Sequence, residues 1–212
     1  MNSAPRSTTL PAKGTDHAEL DARAAILAVP TAPLREIDVD PPLSGPTAAA
    51  LASVRYGQNA KVFVALRKPA PPSAVMSVQR RFWSYTQLDA GGDPAPFLTG
   101  YAGTTAAVEE LAGAGGPGGP QEWIDELSAL RPELELNRNR VLLSTWHEDP
   151  WVRGSYSARS VSSPLRDAEL STPIGPLHFA GEHTAGDWHG LMEGALRSGE
   201  RAARQAIRAT RS

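Results

Sequence analysis

Near its carboxyl end the chain carries a carboxylate, Glu182, directly after a glycine and shortly before a helix-forming stretch. The preceding residues 176–180 are mainly apolar and predict a short buried strand, so Gly181 is expected at a tight turn. Free N–H groups near Leu191 and Met192, at the positive end of the helix dipole, would face whatever binds there. This arrangement is typical of a site for an anion or an electron-rich ring edge, but it does not name the ligand.

The helix expected from about Gly190 onward has an apolar stripe that is rich in small residues. Its members recur at three- and four-residue spacing and predict a buried face. Because alanine and glycine permit a close approach, this face is expected to pack against a sheet or a flat ligand. The stripe consists of Met192, Ala195, Leu196, Gly199, Ala203, Ala206 and Ile207.

The histidines of the same segment raise metal binding as an alternative chemistry. His178, His183 and His189 lie close in sequence to Glu182 and Asp187, and zinc sites use such side chains at helical or tight-turn spacing. His178 belongs to the predicted strand, however, and the intervening glycines interrupt any helical face. No serine lies in a G-x-S-x-G elbow, which disfavours a serine hydrolase. Neither a metal site nor a nucleophilic serine is therefore predicted.

Composition excludes several classes of partner and site. The chain has 212 residues, 41% of them hydrophobic and 21% charged, with a net charge of -2, as is ordinary for a globular protein. No basic patch indicates nucleic acid or an acidic membrane surface, and no apolar run approaches the roughly 20 residues that cross a bilayer. The absence of cysteine excludes disulfides and a cysteinyl link to a cofactor. Without an apolar signal segment, a cytoplasmic location is expected.

A family resemblance appears at the segment Phe179-Ala180-Gly181-Glu182-His183-Thr184 and the helix-forming residues 189–205. Together they resemble the C-terminal flavin-binding segment of the flavin-containing amine oxidases, which include monoamine, polyamine and L-amino-acid oxidases. The resemblance implies oxidation of an amine C–N bond by FAD, hydrolysis of the imine, and reoxidation by oxygen to give hydrogen peroxide. It implies that the FAD-binding residues are Gly181, Glu182, Gly190, Leu191, Met192 and Ala195, with Glu182 near the ribityl or pyrophosphate region.

A lysine at the start of a predicted strand has two interpretations. Residues 56–66 predict this strand, with Lys61, Phe63 and Ala65 on one face. By pattern alone, such a lysine is usually a solvated end residue. The amine oxidases carry a lysine at this place, and the resemblance implies that Lys61 acts through a water near flavin N5. Its charge would favour developing superoxide when oxygen reacts with the reduced flavin.

The tryptophan-rich residues 146–151 and the Gly-Ser-Tyr that follows also have two interpretations. By pattern alone they form a packing corner. The resemblance implies that Trp146 packs on the isoalloxazine ring and that Tyr156 faces substrate. Ser155 stands where some family members carry a flavin-linking cysteine, so FAD would be bound noncovalently. Leu191 replaces a substrate-side aromatic residue, which argues against a simple aryl monoamine as the substrate.

The fold class expected is α/β, with an α+β substrate domain of mixed sheet and the strand–helix part of an FAD-binding domain. The apolar run Ala24–Val29 predicts a strand buried on both faces and resembles the family's junction between domains. A Gly/Pro-rich linker is predicted at residues 113–120. The expected divisions are a flexible lead-in at 1–20, an FAD-domain strand at 21–36, the substrate domain at 37–145 and the C-terminal FAD-binding segment at 146–212.

One part of the family pattern has no counterpart in this sequence. The family binds the ADP half of FAD with an N-terminal βαβ unit bearing G-x-G-x-x-G and a downstream acidic residue, and no such unit occurs here. Three accounts follow from this absence. The chain is one part of a split enzyme whose partner chain supplies the dinucleotide-binding domain, the product of a truncated reading frame, or a non-catalytic remnant that serves as a binding or assembly module.

Overall fold

The computed structural model describes residues 21–112, 119–158 and 167–211. The chain forms two compact units, of which the first combines residues up to Tyr56 with those from Pro150 onward, and the second is Gly57–Asp149. These divisions differ from the predicted boundaries at residues 37 and 145, because Val39, Ala50 and Leu51 pack in the core of the first unit. The predicted lead-in at 1–20 and most of the predicted linker at 113–120 lie outside the described residues.

The described residues form short strands and helices, with five strands in succession between Arg55 and Ala102. The strands are β1 Ala25–Leu27, β2 Arg55–Tyr56, β3 Ala60–Leu66, β4 Ala74–Ser77, β5 Phe82–Leu88, β6 Pro94–Ala102, β7 Leu136–Thr145, β8 Ser157–Ala158 and β9 Leu177–Phe179. The helices are α1 Thr31–Leu34, α2 Gly45–Ser53, α3 Thr105–Ala112, α4 Gly119–Leu130, α5 Asp167–Ser171 and α6 Met192–Arg211. Two 3₁₀ turns, Glu182–Thr184 and Gly186–Trp188, lie between β9 and α6. The predicted α/β class is confirmed.

The second unit is built on a five-stranded sheet in the order β4-β5-β6-β3-β7, with every neighbouring pair antiparallel. The predicted alternation along β3 is confirmed, since Val62, Val64 and Leu66 are buried. Those side chains join Phe82 of β5 and Trp123 of α4 in one hydrophobic core. Lys61 and Phe63 therefore lie on the sheet face opposite that core.

The first unit contains a parallel pair of strands, β1 and β9, in which Ala25 is in register with Leu177 and Leu27 with Phe179. Helix α6 packs on both strands. In the same unit β2 pairs antiparallel with β8, and Tyr56 is in register with Ser157. Parallel and antiparallel pairings therefore occur in separate sheets. Within the described residues, every helix is too short or too polar to cross a lipid bilayer.

The predicted buried stripe of α6 is wrong. Met192, Leu196 and Ile207 are 88%, 71% and 50% exposed, whereas the helix buries Gly194, Ser198 and Ala202. The buried face repeats at a spacing of four residues and consists of small side chains, which let the helix lie close to β9 and the turn after it. Hydrophobic periodicity detects the larger apolar residues, and in this chain those residues form an uncovered stripe.

Candidate functional site

The glycine after β9 is required by its backbone conformation and by its neighbour. Gly181 has φ +119°, a region that residues with a Cβ rarely adopt. A Cβ at this position would lie 2.5 Å from Cε1 of the buried His183 ring. The turn closes when the Thr184 N–H donates to the Gly181 carbonyl oxygen at 3.0 Å. The sequence prediction of a tight turn at Gly181 is confirmed.

Helix α6 fixes this turn through two polar side chains on its covered face. The Gly181 N–H donates to Ser198 Oγ at 3.0 Å. The guanidinium of Arg201 donates to the carbonyl oxygens of Phe179 at 2.8 Å and Thr184 at 2.6 Å. These bonds satisfy carbonyl groups at the end of β9 and in the turn, so the position of the next residue, Glu182, is set by a rigid helix.

The Glu182 carboxylate joins two segments of the first unit. The Ser157 N–H donates to Oε1 at 2.8 Å, and the Ser157 hydroxyl donates to Oε2 at 2.6 Å. The Gly190 N–H also donates to Oε2. One carboxylate thereby holds β8 beside the turn that precedes α6. Sequence reasoning missed Ser157, because nothing local relates it to a residue that lies 25 positions later.

The approach to α6 places backbone donors and an apolar rim beside Glu182. Gly190 adopts φ +73°, and the Leu191 N–H is bonded to the Trp188 carbonyl oxygen at 3.3 Å. The side chains of Leu191 and Met192 are 51% and 88% exposed. By helix geometry, the N–H groups of the first turn from Met192 onward lack intrahelical acceptors. The open donors of the predicted ligand site therefore begin at Met192, since the Leu191 N–H already has an acceptor.

Ser155 Oγ and His189 Nδ1, which are close in the chain to residues that donate to Glu182, are buried and have no hydrogen-bond partner among the described residues. Buried polar atoms are normally paired, and an unpaired one indicates a ligand or an ordered water. Ser155 lies two residues before Ser157, and His189 directly precedes Gly190. Ser157 and Gly190 both donate hydrogen bonds to the Glu182 carboxylate, and these three residues are called the Glu182 cluster below. The Tyr156 ring also lies close, with its Cδ2 3.7 Å from the position of a Cβ on Gly190. The predicted residues Gly181, Glu182, Gly190, Leu191, Met192 and Tyr156 thus lie around one part of the first unit.

Lys61 and Trp146 belong to the second unit. Lys61 lies on the central strand β3, in register with Tyr101 of β6 and Ser144 of β7. Its Nζ lies 6.0 Å from the centroid of the Tyr101 ring. Trp146 directly follows β7 and is 42% exposed. Lys61 is therefore flanked by paired strands on both sides and does not occupy a frayed strand end.

The metal alternative finds no supporting cluster among the described residues, where no three side chains of histidine, cysteine, aspartate or glutamate come together. His183 Nδ1 lies 3.2 Å from the Tyr56 hydroxyl. His178 is buried in β9, and burial lowers its pKa, so this imidazole is neutral near neutral pH.

Comparison with known proteins adds the decisive observation. The sequence profile of the flavin containing amine oxidoreductases matches residues 6–207, nearly the whole chain. The chain belongs to this family. Similar curated relatives include a mouse (Mus musculus) L-amino-acid oxidase, 28% identical over 193 residues, and a rat (Rattus norvegicus) flavin-containing amine oxidase B, 41% identical over 88 residues. The predicted family resemblance is therefore confirmed.

Each alignment with a known flavin amine oxidoreductase covers a larger share of this chain than of the relative. The match to the mouse protein covers 80% of this chain and 28% of the relative, and the match to the rat protein covers 41% and 16%. Cyclohexylamine oxidase from Brevibacterium oxydans IH-35A has a similar fold, with a TM-score of 0.77 and 21% identity, and the match covers 97% of this chain and 47% of that one. A triple mutant of putrescine oxidase aligns with a TM-score of 0.76 and 24% identity, covering 97% and 46%. The chain thus spans less than half the length of these proteins.

Proposed function

We propose that this chain supplies the isoalloxazine- and ribityl-binding half, together with the substrate domain, of an FAD-dependent amine oxidase. The observation that carries the proposal is the Glu182 cluster, in which a carboxylate joins β8 to the approach to α6, with two unpaired polar atoms close to it in the chain, in a member of a flavin family. FAD bound there would have no cysteinyl link to this chain, because the sequence has no cysteine.

The polar groups of the cluster fit a flavin. Ser155 Oγ can donate or accept, and His189 Nδ1 can do either according to its tautomer, so both can pair with ring or ribityl atoms. The N–H groups of the first turn of α6 and its dipole favour the electron-rich N1 and O2 edge of the ring. Glu182 retains one lone pair, on Oε1, beyond the three bonds that it accepts, and this can accept a hydrogen bond from a ribityl hydroxyl group.

The reaction assigned to the complete enzyme is oxidation of an amine C–N bond with formation of hydrogen peroxide. Bound FAD would supply the two-electron oxidation of the amine, with oxygen as the final electron acceptor. This chain's residues orient and shield the reacting groups. In this proposal Trp146 packs on the ring, Tyr156 and Leu191 face the amine, and the Lys61 ammonium stabilises negative charge that develops on oxygen.

Replacing Lys61 by methionine tests its assigned role. The substitution keeps most of the length of the side chain and removes its charge, so reoxidation of reduced flavin by oxygen should slow by about 100-fold, while reduction by the amine changes less. Stopped-flow measurements of the two half-reactions would separate these effects. They would use this chain in complex with FAD and a dinucleotide-binding domain, called the flavin-loaded complex below. A matched control is Lys68→Met, because Lys68 is an exposed lysine paired with Glu135. Equal reoxidation rates for Lys61→Met and the wild type would exclude the role.

The uncovered stripe of α6 supports a proposal for what supplies the dinucleotide-binding half of the FAD site. Met192, Leu196 and Ile207 lie on one side of a 20-residue helix and are at least half exposed. The same unit contains β1 and β9 as a two-stranded parallel pair, although parallel sheets are normally larger and covered on both faces. We propose that a dinucleotide-binding βαβ domain, on a partner chain, covers this stripe and extends the pair. The chain alone should bind FAD weakly and self-associate.

A peroxide assay over a panel of amines, with the flavin-loaded complex, tests the proposed reaction. Peroxide formed from at least one amine, dependent on flavin, is the expected result. Bound flavin without peroxide from any amine would contradict the oxidase assignment and favour a dehydrogenase. A complex that forms without flavin would favour the alternative function, a non-catalytic binding or assembly subunit.

A further inference from the structure

Three separate segments of the first unit meet at the hydroxyl group of Tyr56. The Thr31 N–H donates to this hydroxyl oxygen at 3.3 Å, and the same oxygen lies 3.2 Å from His183 Nδ1. The rings of Tyr56 and His183 meet edge to face, with centroids 6.3 Å apart. These contacts join the start of α1 and strand β2 to the turn that carries Glu182.

The directions of these hydrogen bonds follow from the protonation states. Burial raises the pKa of Tyr56, so the phenol keeps its proton near neutral pH. Burial also lowers the pKa of His183, opposed by Glu182 and reinforced by Arg201, so the imidazole is neutral there. The phenol oxygen accepts from the Thr31 N–H, and its O–H can donate to His183 Nδ1 when the imidazole proton lies on Nε2.

His183 is in direct contact with the flavin-binding turn proposed above. Its ring lies against the α-carbon of Gly181, where a Cβ would be only 2.5 Å from Cε1. Its chain neighbour Glu182 accepts the hydrogen bonds from Ser157 and Gly190. A shift of the imidazole ring is therefore transmitted directly to Gly181 and Glu182.

We propose that Tyr56 and His183 are positioning residues that hold the Gly181–Glu182 turn in its flavin-binding conformation, and that protonation of His183 releases it. This inference rests on the proposed function for the identity of the ligand as FAD. A protonated Nδ1 is a donor, so it cannot accept the Tyr56 O–H. The cation would also face Arg201 of α6, whose guanidinium is bonded to the Thr184 carbonyl oxygen of the same turn.

The charged groups around the imidazole set the balance between the neutral and the protonated form of His183. Glu182, on the same turn, favours protonation of His183, and Arg201 disfavours it. Helix α5 also packs against the turn, and its sequence contains the acidic residues Asp167 and Glu169. Because the folded chain holds the His183 proton less tightly than the unfolded chain does, the native turn is fully favoured above pH 6.5, the ordinary pKa of imidazole. It weakens progressively as the pH falls below that value.

The first test uses nuclear magnetic resonance on the full chain without any ligand. In the wild type, the ¹⁵N shifts of His183 should show a neutral imidazole with its proton on Nε2, titrating below pH 6.5. Tyr56→Phe keeps the ring and removes the hydroxyl, so the tautomer preference should be lost and the pKa of His183 should rise. The Gly190 amide resonance should shift as well, because this N–H is bonded to Glu182. An unchanged His183 tautomer and Gly190 resonance in Tyr56→Phe would overturn the positioning role.

The second test measures FAD affinity across pH in the complex with the dinucleotide-binding half. Tyr56→Phe should weaken FAD binding up to about tenfold near neutral pH, the net value of one hydrogen bond, and should move the acid loss of binding to higher pH. His183→Gln retains an acceptor for Tyr56 and cannot take up a proton, so binding should persist at acid pH. Tyr85→Phe, in the second unit, is the matched control and should change neither quantity.

The two tests separate this inference from the function on which it rests. Identical pH profiles for His183→Gln and the wild type would overturn the protonation switch. Failure of the wild-type complex to bind FAD at any pH would contradict the proposed function. In that case the resonance measurements on the chain alone still decide whether Tyr56 and His183 position the turn.

Discussion

Replacing Gly194 by alanine is expected to destabilise the first unit by about 3 kcal/mol, the upper end of the usual cost of overpacking. A Cβ at this position would lie 2.0 Å from the Trp188 carbonyl oxygen and 2.9 Å from its carbon. These are backbone atoms of the 3₁₀ turn before α6, so they cannot rotate away as a flexible side chain would. The helix must therefore move off the turn that carries Glu182.

The same helix provides the control for this prediction. Gly199 lies in the helix interior, and a Cβ added there would meet no neighbouring element within 4 Å. Gly199→Ala should therefore stabilise α6 by about 0.5–1 kcal/mol through helix propensity alone. Thermal or urea unfolding of the two variants beside the wild type would measure both effects. Equal stabilities for the two alanine variants would contradict the close packing of α6 on the Trp188 turn.

Replacing Glu182 by alanine is expected to have the second large effect. The substitution leaves the N–H and hydroxyl of Ser157 and the N–H of Gly190 without their acceptor. Unpaired buried donors cost about 1–3 kcal/mol, so the first unit should lose about 3 kcal/mol of stability. Because β8 and the approach to α6 are no longer joined, FAD affinity in the complex should fall by at least about tenfold.

Glu200→Ala is the appropriate comparison for this second prediction. Glu200 is an exposed glutamate of α6 that pairs with Arg204 one turn away, and such pairs contribute little. Chemical denaturation would measure the stability of both variants, and titration with FAD would measure their affinity. If Glu182→Ala matched Glu200→Ala in both measurements, the carboxylate would not join the two segments.

Local signals are sufficient to predict the elements that carry the site. The apolar run at β1, the alternation along β3 and the strand–glycine–helix order around Gly181 are all properties of neighbouring residues. Strand β4 escapes prediction, because its four residues are largely exposed and lack an alternating pattern. Helix α5 escapes it too, since five residues are too few to show helical periodicity.

The contacts that define the site are beyond sequence reasoning, because they join distant positions. Ser157 and Glu182 are 25 residues apart, and Tyr56 and His183 are 127 residues apart. Pairing of β2 with β8 brings Tyr56 and Ser157 into register, and no local pattern specifies that pairing. The covered face of α6 is mispredicted for a different reason. Its small residues are weakly marked by hydrophobicity, although their size decides how closely the helix packs.

The flavin content of the chain purified together with a dinucleotide-binding βαβ domain tests the central claim most directly. The proposed function requires each half to supply part of one FAD site, so the visible spectrum of the complex should show stoichiometric oxidised flavin. The chain alone should retain little flavin under the same conditions. Two results would contradict the account. One is stoichiometric FAD on the chain alone, and the other is a stable complex that, after purification from excess FAD, shows no flavin absorbance.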